Sequence, residues 1–377
     1  MTPHLPQEIV DEILDHLTGN TRTLRACSVV SPSFRGASQR KLFHAIVLDI
    51  RDSAKVLRLY DALFSNSILA SFIRSVSLLL GESNDGGPAC DILRMLTRVQ
   101  RLHLINQDVV YNLGLWQNIP ESLQTCLLDV FSRTTCQTLI LGEVLFPLKH
   151  LQELTHLRHL QLHYVHSITY NDDDGLRTAP DPPAKRPLES LTLCTSPAAR
   201  RLLEALCATP ERPSLSLSYL RSCTFEAVQQ STDEVQTILD LANEHLQTAY
   251  VGMYLDCAGR YLDFSKLKAL RMLRIHLAYA WSLQGAWLAR VLATLPSQIE
   301  ELEIRMDCPV GAISAKEWDE IDAQLTQPRH IGTLRRAAFH PHGLEGERKT
   351  CFLKHCLPRL VENGVLIDQP NSSTFLT

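Results

Sequence analysis

Near the end of the chain, His340, His342, Cys351, His355 and Cys356 are five side chains of the kinds that bind zinc. Their spacing works against it. Cys351 and Cys356 lie five residues apart in a stretch with Phe352 and Leu353 that reads as a helix, so the two thiols need not converge. The acidic run Asp172-Asp173-Asp174 is not an EF-hand loop, because Leu176 stands at the fifth position and no Glu at the twelfth. The paired acids Glu300-Glu301 and Asp319-Glu320 adjoin apolar strand or helix positions and read as solvated faces. Motifs of the forms GxSxG, HExxH, GxxxxGK[ST] and GxGxxG are absent, so neither a catalytic residue nor a cofactor is expected. What remains is contact chemistry: Tyr254, Tyr279, Trp281, Trp287 and Trp318 are candidate anchors for a partner.

The elements that must position such residues belong to a chain of ordinary balance. Of its 377 residues 45% are hydrophobic and 21% charged, enough to bury a core, and the length suits two or three domains or a small one joined to an elongated one. The formal charge of −4 and the lack of a basic stripe give no support to a nucleic-acid partner. Eleven cysteines, an odd number without a CxxC, read as free thiols in a reducing compartment. Glu8, Asp11, Glu12 and Asp15 interrupt the opening apolar residues, which argues against a signal peptide. The longest apolar stretch, residues 67–80, is cut by Arg74 and too short to span a bilayer. The sequence reads as cytoplasmic or nuclear, which leaves the sequon at Asn371 idle.

Residues 4–42 read as three short helices. Pro6 suits a first helical turn, and Ile9, Ile13, Leu14 and Leu17 then recur at helical spacing. Gly19-Asn20 ends that helix. A second helix sets Leu24, Cys27 and Val30 on one face, and Ser31-Pro32 opens a third, with a hydroxyl at the cap and proline at the first position. The third carries Phe34, Ala37 and the basic pair Arg40-Lys41 before Leu42-Phe43. So small a helical unit needs support from the rest of the chain or from a partner.

Leu5-Pro6-Gln7-Glu8-Ile9, Ile13-Leu14, Leu17, Leu24, Cys27, Val30-Ser31 and Phe34-Arg35 resemble the F-box signature. Through Phe43-His44-Ala45-Ile46 the wording is similar to the expanded F-box families of mushroom-forming fungi. The resemblance implies a module, residues 1–45, that packs against Skp1, the linker subunit of cullin-based ubiquitin ligases. By motif position it would place Leu5, Pro6, Ile9, Ile13, Leu14, Leu17, Leu24, Cys27, Val30 and Phe34 at or near the Skp1-binding surface. A Trp is common where this chain has Phe34, which would fill the docking pocket less completely. The plainer reading of the same residues is a small bundle whose stripes are its own core.

After a connector, residues 46–72, with an apolar run at 46–50 and a helix at about 53–64, a pattern repeats. Aliphatic-x-x-aliphatic-x-aliphatic appears at Ile73/Val76/Leu78, Val99/Leu102/Leu104, Leu157/Leu160/Leu162, Leu188/Leu191/Leu193, Leu270/Leu273/Ile275 and Ile299/Leu302/Ile304. Weaker cases centre on Leu139, Leu217, Ala249 and Ala337. Helix-length segments lie between most of them, at 91–99, 120–132, 148–155, 198–207, 233–245, 284–295, 316–325 and 347–362. Strand, loop, helix, loop at this period is the reading of a leucine-rich-repeat solenoid with strands on a concave face. The Asn ladder of regular repeats is missing, since Gln107, Val144, Val165, Ser196, Ser222, Tyr254, Ala278, Asp307 and His342 stand at its positions. Residues 83–88 read as a turn, and the polar, Pro-rich residues 166–187 as a mobile insertion. The structural competitor is a doubly wound α/β domain, but no Gly-rich phosphate loop accompanies any strand.

The fold expected is therefore α/β: a small N-terminal helical F-box, then an irregular leucine-rich-repeat-like solenoid, residues 73–370, with one parallel sheet and outer helices. The function expected from the resemblance is a substrate-recognition adaptor of an SCF-type ligase, reaching a cullin through Skp1. The alternative is a repeat scaffold without a ligase function.

Overall fold

Aliphatic residues two apart share one face of an extended chain, so each repeated triplet should give a strand that is buried on one side. The computed structural model of the chain describes residues 5–81, 86–106, 114–147, 150–151, 154, 156–163, 187–194, 216–228, 232–254, 261–278, 284–307 and 313–366. They divide into two units, residues 5–159 and residues 160–163 with 187–366. Both are α/β, with strands paired in chain order.

Unit one opens with helices α1 (Gln7–His16), α2 (Thr21–Val30) and α3 (Pro32–Leu42). Then come β1 (Ala45–Asp49), α4 (Ser53–Ser65), α5 (Ser67–Ala70), β2 (Ser75–Leu80), α6 (Gly87–Met95) and β3 (Arg101–Asn106). The unit closes with β4 (Gly114–Leu115), α7 (Glu121–Ser132), β5 (Thr138–Gly142) and β6 (Val144–Leu145). β1, β2, β3 and β5 pair in parallel, so that Ile46, Val76, Leu102 and Leu139 stand in one buried row and Leu48, Leu78, Leu104 and Leu141 in the next. The apolar run at 46–50 thus supplies the first strand. β4 and β6 form a separate parallel pair.

Unit two contains β7 (His159–His163, its first residue belonging to unit one), β8 (Ser190–Cys194), β9 (Ser222–Val228), α8 (Thr232–Leu241), β10 (Thr248–Tyr254) and β11 (Met272–Ala278). It ends with α9 (Gln284–Ala293), β12 (Glu301–Met306), α10 (Ala315–Leu325), β13 (Arg336–Pro341), α11 (Gly346–Cys356) and α12 (Pro358–Glu362). The pairs from β8 to β13 are all parallel. Alternate residues are buried, and those between form a half-exposed open face.

Two expectations need correction. Leu217 is not a strand centre: it lies buried in a short 3-10 turn, Leu217–Tyr219, and the strand comes one step later. The true triplet is Leu220/Cys223/Phe225, in which a thiol and an aromatic ring take the aliphatic positions. The segment 347–362 is two helices, because Pro358 has no N–H to continue the first and disfavours helical geometry before it. The segments 166–186 and 198–207 lie outside the described residues, as do 83–85 and much of 148–155.

At the starts of the strands, the end opposite to the missing Asn ladder, the backbone joins successive repeats. Before most strands of the large sheet one carbonyl accepts two successive N–H groups of the next repeat. In unit one His44 takes Arg74 and Ser75 (2.9 and 3.0 Å), Arg74 takes Gln100 and Arg101, and Gln100 takes Gln137 and Thr138. In unit two the acceptors are Glu189, Arg221, Gln247, Arg271 and Glu300. These forks fill the second lone pair of each oxygen and need no particular side chain. Side chains tie the loops: Gln236 both accepts from Asp263 N (2.8 Å) and donates to Asp263 O (3.0 Å), and Gln298 donates to Leu267 O at 3.0 Å.

Glu317 is the tightest of these ties. It closes a capping box with Ser314 at the start of α10, accepting from Ser314 N at 2.7 Å, and also accepts from Ala286 N at 3.0 Å, an orphan donor in the first turn of α9. Gly285 makes room for it, since a Cβ there would lie 2.5 Å from Glu317 Cδ and 2.6 Å from its Cβ. Gly285→Ala is expected to destabilise the chain by about 2 kcal/mol, the cost of displacing a capping carboxylate. Thermal unfolding of Gly285→Ala, Glu317→Ala and the double variant checks this. The two losses should be less than additive, because Glu317→Ala removes the Cδ contact and the capping carboxylate but keeps the Cβ contact, and full additivity would exclude a clash with the carboxylate.

Candidate docking site on the N-terminal helices

The three helices are closed by local chemistry. Asn20 does not end α1 but caps α2, accepting from Thr23 N at 3.0 Å. α1 has already ended at Leu17, before Gly19 at φ +92°. Ser31 caps α3 by accepting from Phe34 N at 3.4 Å, with Pro32 at the first helical position. Pro6 sits at the N-cap of α1 rather than inside its first turn, and its carbonyl accepts from Ile9 N and Val10 N. The basic pair expected to be a patch is paired: Arg40 reaches Asp11 at 3.4 Å and Lys41 bonds Asp15.

Packing splits the ten candidate residues in two. Leu14 and Leu24 are fully or nearly buried with Val10 and Ala37, and Leu17, Cys27 and Phe34 pack partly buried against them. Leu5, Ile9 and Ile13 are 48%, 43% and 41% exposed, Pro6 is exposed, and Val30 is exposed beside Val29. The single stripe read from the sequence is therefore two faces. Val10, Leu14 and Leu17 point inward, while Ile9 and Ile13, four apart on α1, share the outer face, and Leu5, just before the helix, is exposed as well. The module has its own core and carries an apolar stripe that this core leaves uncovered.

The C-terminal residues of zinc-binding type do not converge. His340 faces Glu303 at 3.4 Å, His342, Cys351 and His355 are exposed, and Cys356 is half-buried on α11. Among the described residues no three His, Cys, Asp or Glu are placed to hold a metal. Asp172–Asp174, Tyr279 and Trp281 lie outside the described residues, as does the side chain of Tyr254. Trp287 is half-buried, and Trp318 is core, edge-on to Phe339 and Phe352 rather than at a rim. Glu300 and Glu301 are not merely solvated: Glu300 spans Arg271 (3.1 Å) and Arg335 (4.0 Å), each just before a flanking strand, and Glu301 faces Arg336 at 3.9 Å.

Sequence reading missed a polar network on the open face of unit two. Tyr250 Oη lies 3.4 Å from His276 Nδ1, whose ring binds Asp307 through Nε2 at 2.7 Å, and Arg305 joins Asp307 at 3.3 Å. Arg274 and His340 hold Glu303 from either side, the His340 hydrogen bond being the main cause that keeps its carboxyl below the usual range. Cys194 donates to Glu226 at 3.0 Å. The signal was present as polar residues at alternate strand positions, but their pairing across strands was not.

No protein-family model and no curated protein matches the chain. Among solved structures, it is similar to a leucine-rich-repeat protein of Leptospira interrogans over 92% of this chain and 97% of that one, at 11% identity and a TM-score of 0.21. The strand pairing and the helices, not that likeness, carry the α/β assignment. No helix among the described residues is long and apolar enough to cross a membrane.

Proposed function

We propose that the chain is a substrate-recognition adaptor of an SCF-type ubiquitin ligase, with α1–α3 docking a Skp1-like linker, and through it a cullin, while the repeat strands hold a client protein. The observation that carries the reading is the exposed apolar set of Leu5 before α1 and Ile9 and Ile13 on its outer face, on a helical module with a core of its own. A stripe that the module's own core leaves uncovered suits a partner, and covering each of these side chains contributes on the order of 1 kcal/mol. The Leu-Pro start and the Ser-Pro cap of α3 agree with the F-box resemblance. The reading needs no catalytic residue; the adaptor acts by holding a client near the transferring enzyme, raising the effective concentration of its lysines.

Co-purification with Skp1 tests it. Ile9→Glu/Ile13→Glu and Leu5→Ala/Pro6→Ala should each cut Skp1 recovery at least roughly tenfold while leaving the melting temperature nearly unchanged, because the stripe is exposed. Recovery equal to wild type overturns the docking role and leaves the alternative, a repeat scaffold without ligase function.

A further inference from the structure

On the open face of unit two, acids and cations are matched almost pair for pair. Glu301 has Arg336, Glu303 has Arg274 and His340, and Asp307 has Arg305 and His276. Glu226 of β9 is the exception. Among the described residues its carboxylate accepts one hydrogen bond, from the Cys194 thiol, and pairs with no cation. A thiol is a weak donor, so this half-buried carboxylate keeps unfilled lone pairs and an unbalanced charge.

The backbone around it is irregular in a directed way. β9 and β10 pair in register as far as Phe225 opposite Val251 and resume at Val228 opposite Met253, so Glu226 and Ala227 together face the single residue Gly252. A bulge of this kind re-aims a strand side chain, and Gly252 sets no side chain beside it. Beyond Gly252 the row continues with His276, already engaged by Asp307 and Tyr250. Two groups that sense Glu226, Tyr250 and His163, offer it no cation at neutral pH. Burial, and then Glu226, push the Tyr250 hydroxyl up to about 12, and burial lowers His163 despite the opposing pull of Glu226.

We propose that Glu226 anchors a site for a cationic side chain, lysine or arginine, carried by an extended segment of the partner protein. The occupant is set by charge complementarity: the acids Glu301, Glu303 and Asp307 at β12 have cations among the described residues, whereas Glu226 on β9 has none there. The inference rests on the reading that the repeat strands receive the client, and it states what the client must present.

Selection from a random dodecapeptide library on the full chain and on Glu226→Gln tests it. Wild-type binders should share one Lys or Arg position, and that preference should vanish with Glu226→Gln. For a selected peptide, Glu226→Gln and Lys→Met in the peptide should each weaken binding roughly tenfold, and together no more than either alone. Glu303→Gln, on the same face, should leave affinity within about twofold. A selection without a basic position, a preference unchanged in Glu226→Gln, or an equal loss in Glu303→Gln overturns the site. Skp1 recovery, read on the same variants, separates this outcome from failure of the adaptor reading: if it holds while the basic preference is absent, only the Glu226 site falls.

Discussion

His330→Leu is expected to be more stable than wild type at pH 7 and markedly less sensitive to acid. His330 lies in the turn after α10, 1% exposed, with neither ring nitrogen hydrogen-bonded among the described residues. Burial first, and the Arg329 charge second, lower its pKa from 6.5 to about 4. The folded chain therefore refuses a proton that the unfolded chain accepts. This contribution is fully present above pH 6.5 and is lost as the pH falls toward 4, amounting to roughly 3 kcal/mol by linkage. Leucine has similar bulk and no nitrogen to strand, so the variant should gain about 1 kcal/mol at pH 7 and lack this part of the acid loss. Urea unfolding at pH 7 and pH 4.5 checks both. Equal acid losses in the two proteins would show that His330 is not the group responsible.

Asp322→Ala is expected to cost about 3 kcal/mol and to loosen the end of unit two. The carboxylate is 2% exposed on α10 and accepts from Arg359 N at 3.0 Å and Leu360 N at 3.1 Å, the first free donors after Pro358. Without it, two N–H groups in the first turn of α12 lose their acceptor. α12 leads into Val365, whose carbonyl receives Ala337 N at 3.0 Å, so the loss should reach β13. Amide exchange at 359, 360 and 337 should quicken together, and exchange confined to α12 would refute the link to the strand. Asp322→Asn keeps one acceptor but sets an amide N–H against the other donor, so about half the loss is expected. Burial, as the main cause, raises the Asp322 pKa. Only between 3.8 and that raised value does the folded chain hold a proton that the unfolded chain has released, so this group's contribution declines as the pH rises through that window.

The strands were legible because their signal is local. Leu-x-Leu at 76/78, 102/104, 273/275 and 302/304, with Val and Ile as equivalents, reports burial on one face whatever the rest of the chain does. It failed at Leu217, where Cys223 and Phe225 hold the aliphatic positions, and at α1, where Val10 rather than Ile9 lies in the core. There the sequence offers two apolar faces, and only the packing of α3 decides between them. The site on unit two was less legible still. Glu226 looks like any strand glutamate until the bulge opposite Gly252 and the neutrality of its neighbours are seen, and those neighbours lie 24 to 63 residues away in sequence. Pairing at such distance depends on register, which no single strand encodes.

The forked carbonyls before the strands have a consequence for how such a chain can change. A ladder of buried asparagines ties each turn to one residue type, so drift at those positions breaks the stack. At the starts of these strands the joint is made by peptide groups, and the residues that bear it, from His44 and Arg74 to Arg271 and Glu300, include both charges and neutral polar groups. Mutation can rewrite the charge along this edge without disturbing the joints beneath it.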